Sequence, residues 1–320
     1  MKENKIRTIL NQGGTVINGW LGIPSSVAAE NMAQANWDSL TVDLQHGLVD
    51  YPNAVSMFQA ITTTPTVPLA RVPWLEPGII MKLLDAGAYG IVCPMINSRA
   101  ECEAFVGACH YAPAGYRSFG PVRATWYAGP DYWQHANETV LTMAMIETQK
   151  AVDNLDDILS VPGLDAIYVG PSDLALSIGC KPGFPPEEKV VDVIKVIATA
   201  AKRHGIYPGI HCGSTKMANE MIGYGYQFIT MLADNALLAT AARQRVLTDD
   251  SEAEVKSGWW LVAERLEDIG NQRMLLEKPA IGIHPGAHDD QIPAWHHGHV
   301  LAFVACCSVG ARRHAGHLVE

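Results

Sequence analysis

The chain has 320 residues, of which 48% are hydrophobic and 18% charged, and a formal net charge of −10. That composition excludes disorder as a whole and is long enough for one large domain with a full core. The acidity argues against nucleic acid as the main partner, because phosphate backbones are bound by clustered Lys and Arg. No apolar run reaches the roughly 18 residues of a membrane span, and the opening "MKENKIRTIL" lacks a signal-peptide core, so the expectation is a cytoplasmic protein with no membrane partner. The 7 cysteines (Cys93, Cys102, Cys109, Cys180, Cys212, Cys306, Cys307) are odd in number and never spaced C-x-x-C, which indicates neither a disulfide framework nor a zinc site.

In chain order, strands are expected near "VINGWLGI" (16–23), "SLTVDL" (39–44), "PLARVP" (68–73), "GIVCPMI" (90–96), "TMAMIE" (142–147), "AIYVGP" (166–171), "YPGIHC" (207–212) and "FITMLAD" (228–234). Helical stretches separate them. In "KVVDVIKVIATAAKRHG", for example, Val190, Ile194, Ile197, Ala198 and Ala201 fall at helical spacing, and Gly205 stands where a helix C-cap belongs. Eight strands alternating with helices predict an α/β fold, a closed (β/α)8 barrel, with an open doubly wound sheet as the alternative. No G-x-G-x-x-G follows the first strand, so a dinucleotide-binding sheet is not supported.

Between the fourth and fifth strands, residues 111–137 form a long stretch rich in Gly, Pro and aromatics, expected to lie at the strand-end face and shape the site. Arg117, Arg123 and Tyr127 within it are candidates to meet a distal carboxylate or hydroxyl of a substrate. The barrel pattern stops near Thr248, which divides the chain into a barrel of residues 1–247 and a C-terminal extension of 248–320, partly helical over about 250–275. The extension gathers His296, His297, His299, His314 and His317 at spacings without regular ligand geometry.

A barrel of this type carries its active site at the C-terminal ends of the strands. The polar groups there are Asp43, Gln45 and His46 after the second strand, Arg71 in the third, Glu147 after the fifth, and Gly170, Pro171 and Asp173 after the sixth. Glu147 and Asp173 are both anionic, and two neighbouring carboxylates share a proton or a cation unless they serve separately as caps or surface acids. A hard divalent ion on two carboxylates keeps about four octahedral positions for water and a chelating 2-oxo acid. Polarising such a ketone makes its C3 protons acidic, and the enolate needs donors aimed at its oxygen. Arg71, an arginine inside an apolar strand, suits that task or forms a structural ion pair. His46 is placed to move protons near neutral pH or is structural, and Trp20 walls the mouth or belongs to the core.

The motifs "GWLGIPSS", "DLQHG", "ARVPW", "LLDAGAYGIVCPM", "MIET" and "VGPSDLA" stand in this order over roughly residues 5 to 245, and together they closely resemble the HpcH/HpaI family of metal-dependent pyruvate aldolases. The resemblance implies a (β/α)8 barrel assembling as a homohexamer, with a divalent ion (Mg²⁺, Mn²⁺ or Co²⁺) on Glu147 and Asp173. It implies that Arg71 steadies the enolate, that His46 and Asp85 form a proton-handling dyad, and that the backbone around Gly170, Pro171 and Ser172 helps hold the pyruvate carboxylate. Asp85 lies before the fourth strand, however, at the opposite end of the barrel from His46. A strand of about five residues spans roughly 17 Å, so the dyad requires Asp85 from a neighbouring subunit and places active sites at interfaces. The chain departs from the family pattern at Met145, where Gln is expected, and at Gln45, where Glu is expected.

The activity so implied is reversible cleavage of a 4-hydroxy-2-oxo acid to pyruvate, or a pyruvate-like donor, and an aldehyde that the sequence does not identify. A Schiff-base aldolase is disfavoured because Lys82, Lys150, Lys189, Lys195 and Lys202 fall outside the strand-end motifs. A CoA-ester lyase of the citrate lyase β-subunit type and a non-catalytic 2-oxo acid binding barrel are the remaining alternatives.

Overall fold

The structure is a computed structural model that describes residues 1–247; the histidine-rich extension and the helix expected near 250–275 lie outside the described residues. Eight parallel strands follow in chain order: β1 (Val16–Leu21), β2 (Ser39–Asp43), β3 (Val67–Arg71), β4 (Gly90–Cys93), β5 (Leu141–Ile146), β6 (Ala166–Val169), β7 (Tyr207–Cys212) and β8 (Phe228–Ala233). Each pairs with the next and β8 closes onto β1, which makes the barrel. The open-sheet alternative is thereby excluded.

Successive side chains of a strand point to opposite faces, and this period of two sorts the chain into two cores. Leu40, Val42, Ala70, Ile91, Ala144, Ile167 and Ile210 pack outward against the helices. The alternate positions, among them Val16, Trp20, Leu69, Val92, Met143, Met145, Tyr168 and Phe228, fill the barrel. Part of that filling is polar and satisfied: Ser39 and Thr41 donate to Asn18 Oδ1 at 2.8 and 3.1 Å, and Asn18 Nδ2 donates to Thr230 Oγ1 at 3.0 Å. The inward parity carries straight to the chemistry. Asp43 follows Thr41, Arg71 follows Leu69, Glu147 follows Met145 and Gly170 follows Tyr168, so each reaches the C-terminal mouth on the inner face.

Seven of the eight strands end one to three residues before the expected bound, all but β7, and at two of them a proline is the cause. β4 stops at Cys93 because Pro94 has no N–H to extend the ladder and Met95 adopts φ 57°, a left-handed conformation that a strand cannot continue. β6 stops at Val169 because Pro171 opens the helix Pro171–Ser177, its fixed φ suiting the first helical position. The expected helix around Val190 spans Glu188–His204 and ends on Gly205 in the left-handed conformation.

The long segment 111–137 does not lie at the strand-end face of its own barrel. The helix Arg99–Cys109 has already made the return journey from β4, so the segment joins a helix to the start of β5. It is partly helical, over Val122–Ala128 and Tyr132–Thr139, and it packs with the N-terminus: Lys2 donates its backbone N–H to Ala128, and Asn4 donates to the carbonyls of Tyr89 and Thr139. Arg117, Arg123 and Tyr127 therefore sit at the opposite end from the mouth.

Candidate active site

A cleft of about 220 Å³ opens at the C-terminal ends of the strands, lined by Trp20, His46, Arg71, Met145, Tyr168, Gly170, Pro171, Ser172, Asp173, Phe184 and His211. Seven of the nine residues singled out in the sequence line it. Glu147 lies immediately behind Gly170, and Asp85 is elsewhere.

Asp43 organises one wall. Its carboxylate takes Arg71 in a two-pronged ion pair, Nε to Oδ1 at 2.8 Å and Nη2 to Oδ2 at 2.6 Å. Trp20 Nε1 donates to Oδ2 at 3.1 Å, and the backbone N–H groups of Gln45 and His46 donate to Oδ1 at 3.0 and 3.3 Å. Burial pushes the Asp43 pKa up, but Arg71, Trp20 and the Gln45 amide together outweigh it and hold the carboxyl below its usual value. One buried carboxylate thus fixes the arginine, the tryptophan and the turn that leads to His46. Arg71 is held through two of its nitrogens and also lies 4.8 Å from the Trp20 ring, which stacks on Tyr168 with centroids 5.5 Å apart. His46 itself is exposed at the rim.

Glu147 is only 3% exposed. Its Oε1 accepts a hydrogen bond from the backbone N–H of Met95 at 2.8 Å, and the left-handed turn at Met95 is what aims that N–H at the carboxylate. A left-handed residue other than Gly costs about 1–3 kcal/mol, and such strain collects at functional sites. On the other side a Cβ at Gly170 would stand 2.6 Å from Glu147 Oε2, so only glycine leaves the carboxylate its place. Burial, the dominant cause, and the nearby charge of Asp173 push the Glu147 pKa up to about 7, against the opposing pull of the Met95 N–H and Arg71. Asp173 is exposed in the first turn of Pro171–Ser177.

These two carboxylates fit a divalent ion. Both are hard oxygen donors, Glu147 is buried without an ion-pair partner among the described residues, and the missing Cβ of Gly170 leaves room beside its Oε2. Among the described residues no group of three or more His, Cys, Asp or Glu is gathered as a cage. Two protein carboxylates leave the remaining positions to water and substrate.

Asp85 ends the helix Pro77–Asp85 and is held by Arg117, Nη2 to Oδ1 at 2.6 Å. The Arg117 side chain is fully buried, with Nη1 donating to the Tyr132 hydroxyl at 2.9 Å. Within one chain, then, Asp85 and His46 are not brought together. Arg123 is likewise engaged, by the Ala86 carbonyl and the Thr62 hydroxyl. Neither arginine is available in this chain to a substrate tail at the mouth, and the expectation that they meet a distal carboxylate or hydroxyl is corrected accordingly.

Four contributors escaped the sequence reading and a fifth was read incompletely. Asp43 was noted only as a strand-end acid, and nothing in "VDLQHG" shows that its donors come from β1, β3 and the following turn. His211 and Tyr168 sit at inward positions, two beyond Gly209 and two before Gly170, a parity legible once the register is fixed. Phe184 and the Met95 backbone carry no local signal. Among the described residues no lysine lines the cleft, so an imine mechanism has no nucleophile there.

A closed parallel barrel whose mouth gathers such groups belongs to the class of (β/α)8 small-molecule enzymes. Comparison with known proteins narrows this. The model of the HpcH/HpaI aldolase/citrate lyase family matches residues 19–241, and the chain belongs to that family. The hydroxypyruvate/pyruvate aldolase of Rhizorhabdus wittichii is 43% identical over 242 residues, covering 75% of this chain and 96% of the relative. The 4-hydroxy-2-oxo-heptane-1,7-dioate aldolase of Escherichia coli is 34% identical over 243 residues, covering 75% and 92%. The crystal structure of an HpcH/HpaI aldolase/citrate lyase family protein from Burkholderia cenocepacia J2315 superposes with a TM-score of 0.73 at 30% identity, over 78% of this chain and all of that one. The protein is accordingly an enzyme, an aldolase-type carbon–carbon lyase, as the motifs implied.

Proposed function

We propose that the protein reversibly cleaves a 4-hydroxy-2-oxo acid to pyruvate, or a pyruvate-like donor, and an aldehyde, with a divalent ion on Glu147 and Asp173. The observation that carries this reading is the pairing of a rigidly held Arg71 with a buried carboxylate, Glu147, that has no ion-pair partner among the described residues. When bound, the ion supplies Lewis-acid polarisation of the substrate's keto group. The chain's residues do the rest. Pro171 has no N–H, so the N–H groups of Ser172 and Asp173, unpaired at a helix start, are those that receive the substrate carboxylate. Arg71 has one terminal nitrogen outside its fork with Asp43, and it faces the C2 oxygen on which negative charge develops. His46 takes the proton of the C4 hydroxyl; the C3–C4 bond breaks, the aldehyde leaves, and its electron pair becomes the enolate, which is then protonated at C3.

The same reading makes the enzyme a homo-oligomer, a hexamer by family resemblance, in which Asp85 of one subunit serves His46 of another. Two features support it. Arg117 holds Asp85 Oδ1 and leaves Oδ2 without a hydrogen bond among the described residues, and the adjoining segment exposes Phe119, Trp126 and Trp133 at 70%, 78% and 52%, an apolar surface of the kind that marks an interface. The test of function is an assay with pyruvate and simple aldehydes, in chelator and after Mn²⁺ is restored. Carbon–carbon bond formation that stops in chelator and returns with metal is expected. Binding of 2-oxo acid and metal without turnover would instead establish the non-catalytic barrel.

A further inference from the structure

His46 stands exposed at the rim, and among the described residues no hydrogen bond holds its imidazole. The backbone of residues 44–48 therefore sets where the ring sits. Asp43 holds that turn from one side, through the N–H groups of Gln45 and His46. The other hold comes from the loop after β1. Leu48 donates its N–H to the Gly22 carbonyl at 3.0 Å, and a Cβ at Gly47 would stand 2.2 Å from the Asp43 carbonyl oxygen and 3.0 Å from Gly22 Cα. The turn thus packs on that loop backbone to backbone, a close approach that only glycine permits.

Gly22 is in turn fixed from the end of β8. Asp234, only 5% exposed, accepts the Gly22 N–H at Oδ1 (2.8 Å) and the Ile23 N–H at Oδ2 (3.2 Å). A bulge in β8 aims it there. Gly19 pairs with Met231 but Trp20 pairs with Ala233, so Leu232 is an extra residue, and its φ of 40° lies in the left-handed region. Phe228 and Thr230 face the barrel interior, whereas beyond the bulge it is Ala233 that packs there. Unbroken alternation would turn Asp234 into the barrel mouth. The bulge turns it to the amides after β1 instead, at the cost of backbone strain of the kind that collects at functional sites.

We propose, resting on the aldolase reading, that Asp234 is a positioning residue for His46: through Gly22 it clamps the turn 44–48 and so holds the imidazole at the C4 hydroxyl. The relay crosses three neighbouring strands, from β8 through the loop after β1 to the turn after β2. Capping its own helix, Asp234–Leu247, does not account for the arrangement. Oδ1 does accept the Asn235 N–H at 2.8 Å, but Oδ2 is given to Ile23. The groups that receive the 2-oxo acid, Arg71 and the N–H groups of Ser172 and Asp173, stand on β3 and after β6, outside the relay. Loosening it displaces His46 from C4 and leaves the binding of the 2-oxo acid in place.

The experiment compares two reactions of the full chain loaded with Mn²⁺, in the wild type and in D234N. One is cleavage of 4-hydroxy-2-oxopentanoate, which needs the C4 hydroxyl proton removed; the other is exchange of the pyruvate methyl protons with D₂O, which has no C4 hydroxyl. Asn keeps the shape of Asp234 but cannot accept from both amides, since one of its two ends is a donor. D234N is expected to lower kcat for cleavage by about tenfold or more, as small misplacements of a reacting group do, with KM and the rate of methyl exchange unchanged. A merely structural role would depress cleavage and exchange together. An equal fall in both, or an unchanged kcat in folded D234N, overturns the proposal. Should D234N fail to fold, D234S, which retains one short acceptor, decides by the same ratio of cleavage to exchange. Wild-type protein that neither cleaves the acid nor exchanges pyruvate overturns the aldolase reading itself, so the two failures are distinguishable.

Discussion

Asp43 and Arg71 show how much of the site depends on a single buried pair. Replacing Asp43 with Asn keeps the shape but leaves the guanidinium buried without its counter-charge, and breaking a buried ion pair on one side costs about 3–5 kcal/mol. D43N is therefore expected to lose stability of that order in urea denaturation, and to lose pyruvate C3 exchange as well, because Arg71, Trp20 and the turn to His46 move together. Arg71→Lys separates the two effects. An ammonium retains charge but cannot present a planar fork, so the fold should survive by circular dichroism while exchange is lost; unchanged exchange would remove Arg71 from the mechanism.

Glu147 gives a prediction with a definite sign. Its folded-state pKa is about 7, above the ordinary 4.5, so in metal-free protein its contribution to stability is full below 4.5 and is lost as pH rises through 7. The loss approaches about 3 kcal/mol well above pH 7. A divalent ion competes with the proton for the same carboxylate, so its affinity rises over the same interval. Thermal melts between pH 6 and 8 should show the stabilisation by Mn²⁺ growing with pH, and E147Q should abolish both that growth and the stabilisation. A metal-induced shift that is flat with pH, or retained in E147Q, would remove Glu147 from the metal site.

At the level of the element, the end of β6 matters most. Val169 closes the strand, Gly170 passes in front of Glu147, and Pro171 opens the helix that bears Ser172 and Asp173. Gly170→Ala introduces a methyl 2.6 Å from Glu147 Oε2, at a residue whose φ of −94° demands no glycine for the backbone's sake. The variant should fold with near wild-type stability while metal affinity, followed by isothermal titration calorimetry, weakens by about tenfold or more; unaltered affinity would mean that the ion does not approach Glu147 from that side. The strands were legible in the sequence because runs such as "GIVC" and "AIYV" are apolar on both faces, as parallel strands buried on both sides must be. Their ends were less so, since Pro94 and Pro171 are punctuation whose effect depends on the neighbouring loop. Arg71 and Glu147 stood out as charges in or at the end of apolar strands. His211 did not, because its partners Tyr168 and Trp20 come from other strands. The segment 111–137 was assigned to the wrong end because its aromatic richness says nothing of which side of a helix it follows.

For the molecule as a whole, the opposed positions of His46 and Asp85 lead to a prediction about assembly. His46→Ala and Asp85→Ala subunits, each inactive alone, should recover part of the activity when unfolded together and reassembled, because some interfaces would then pair an intact His46 with an intact Asp85. Verified mixed oligomers without recovery would exclude the shared site. The central claim, that a cation held by Glu147 and Asp173 works with Arg71 on a 2-oxo acid, is tested most directly by proton NMR of pyruvate in D₂O. The account predicts that the C3 methyl signal exchanges with deuterium when protein and Mn²⁺ are present, that chelator stops the exchange and restored metal returns it, and that E147Q and R71K are both silent. Exchange persisting at the full rate in chelator, or no exchange from metal-loaded folded enzyme, would contradict it.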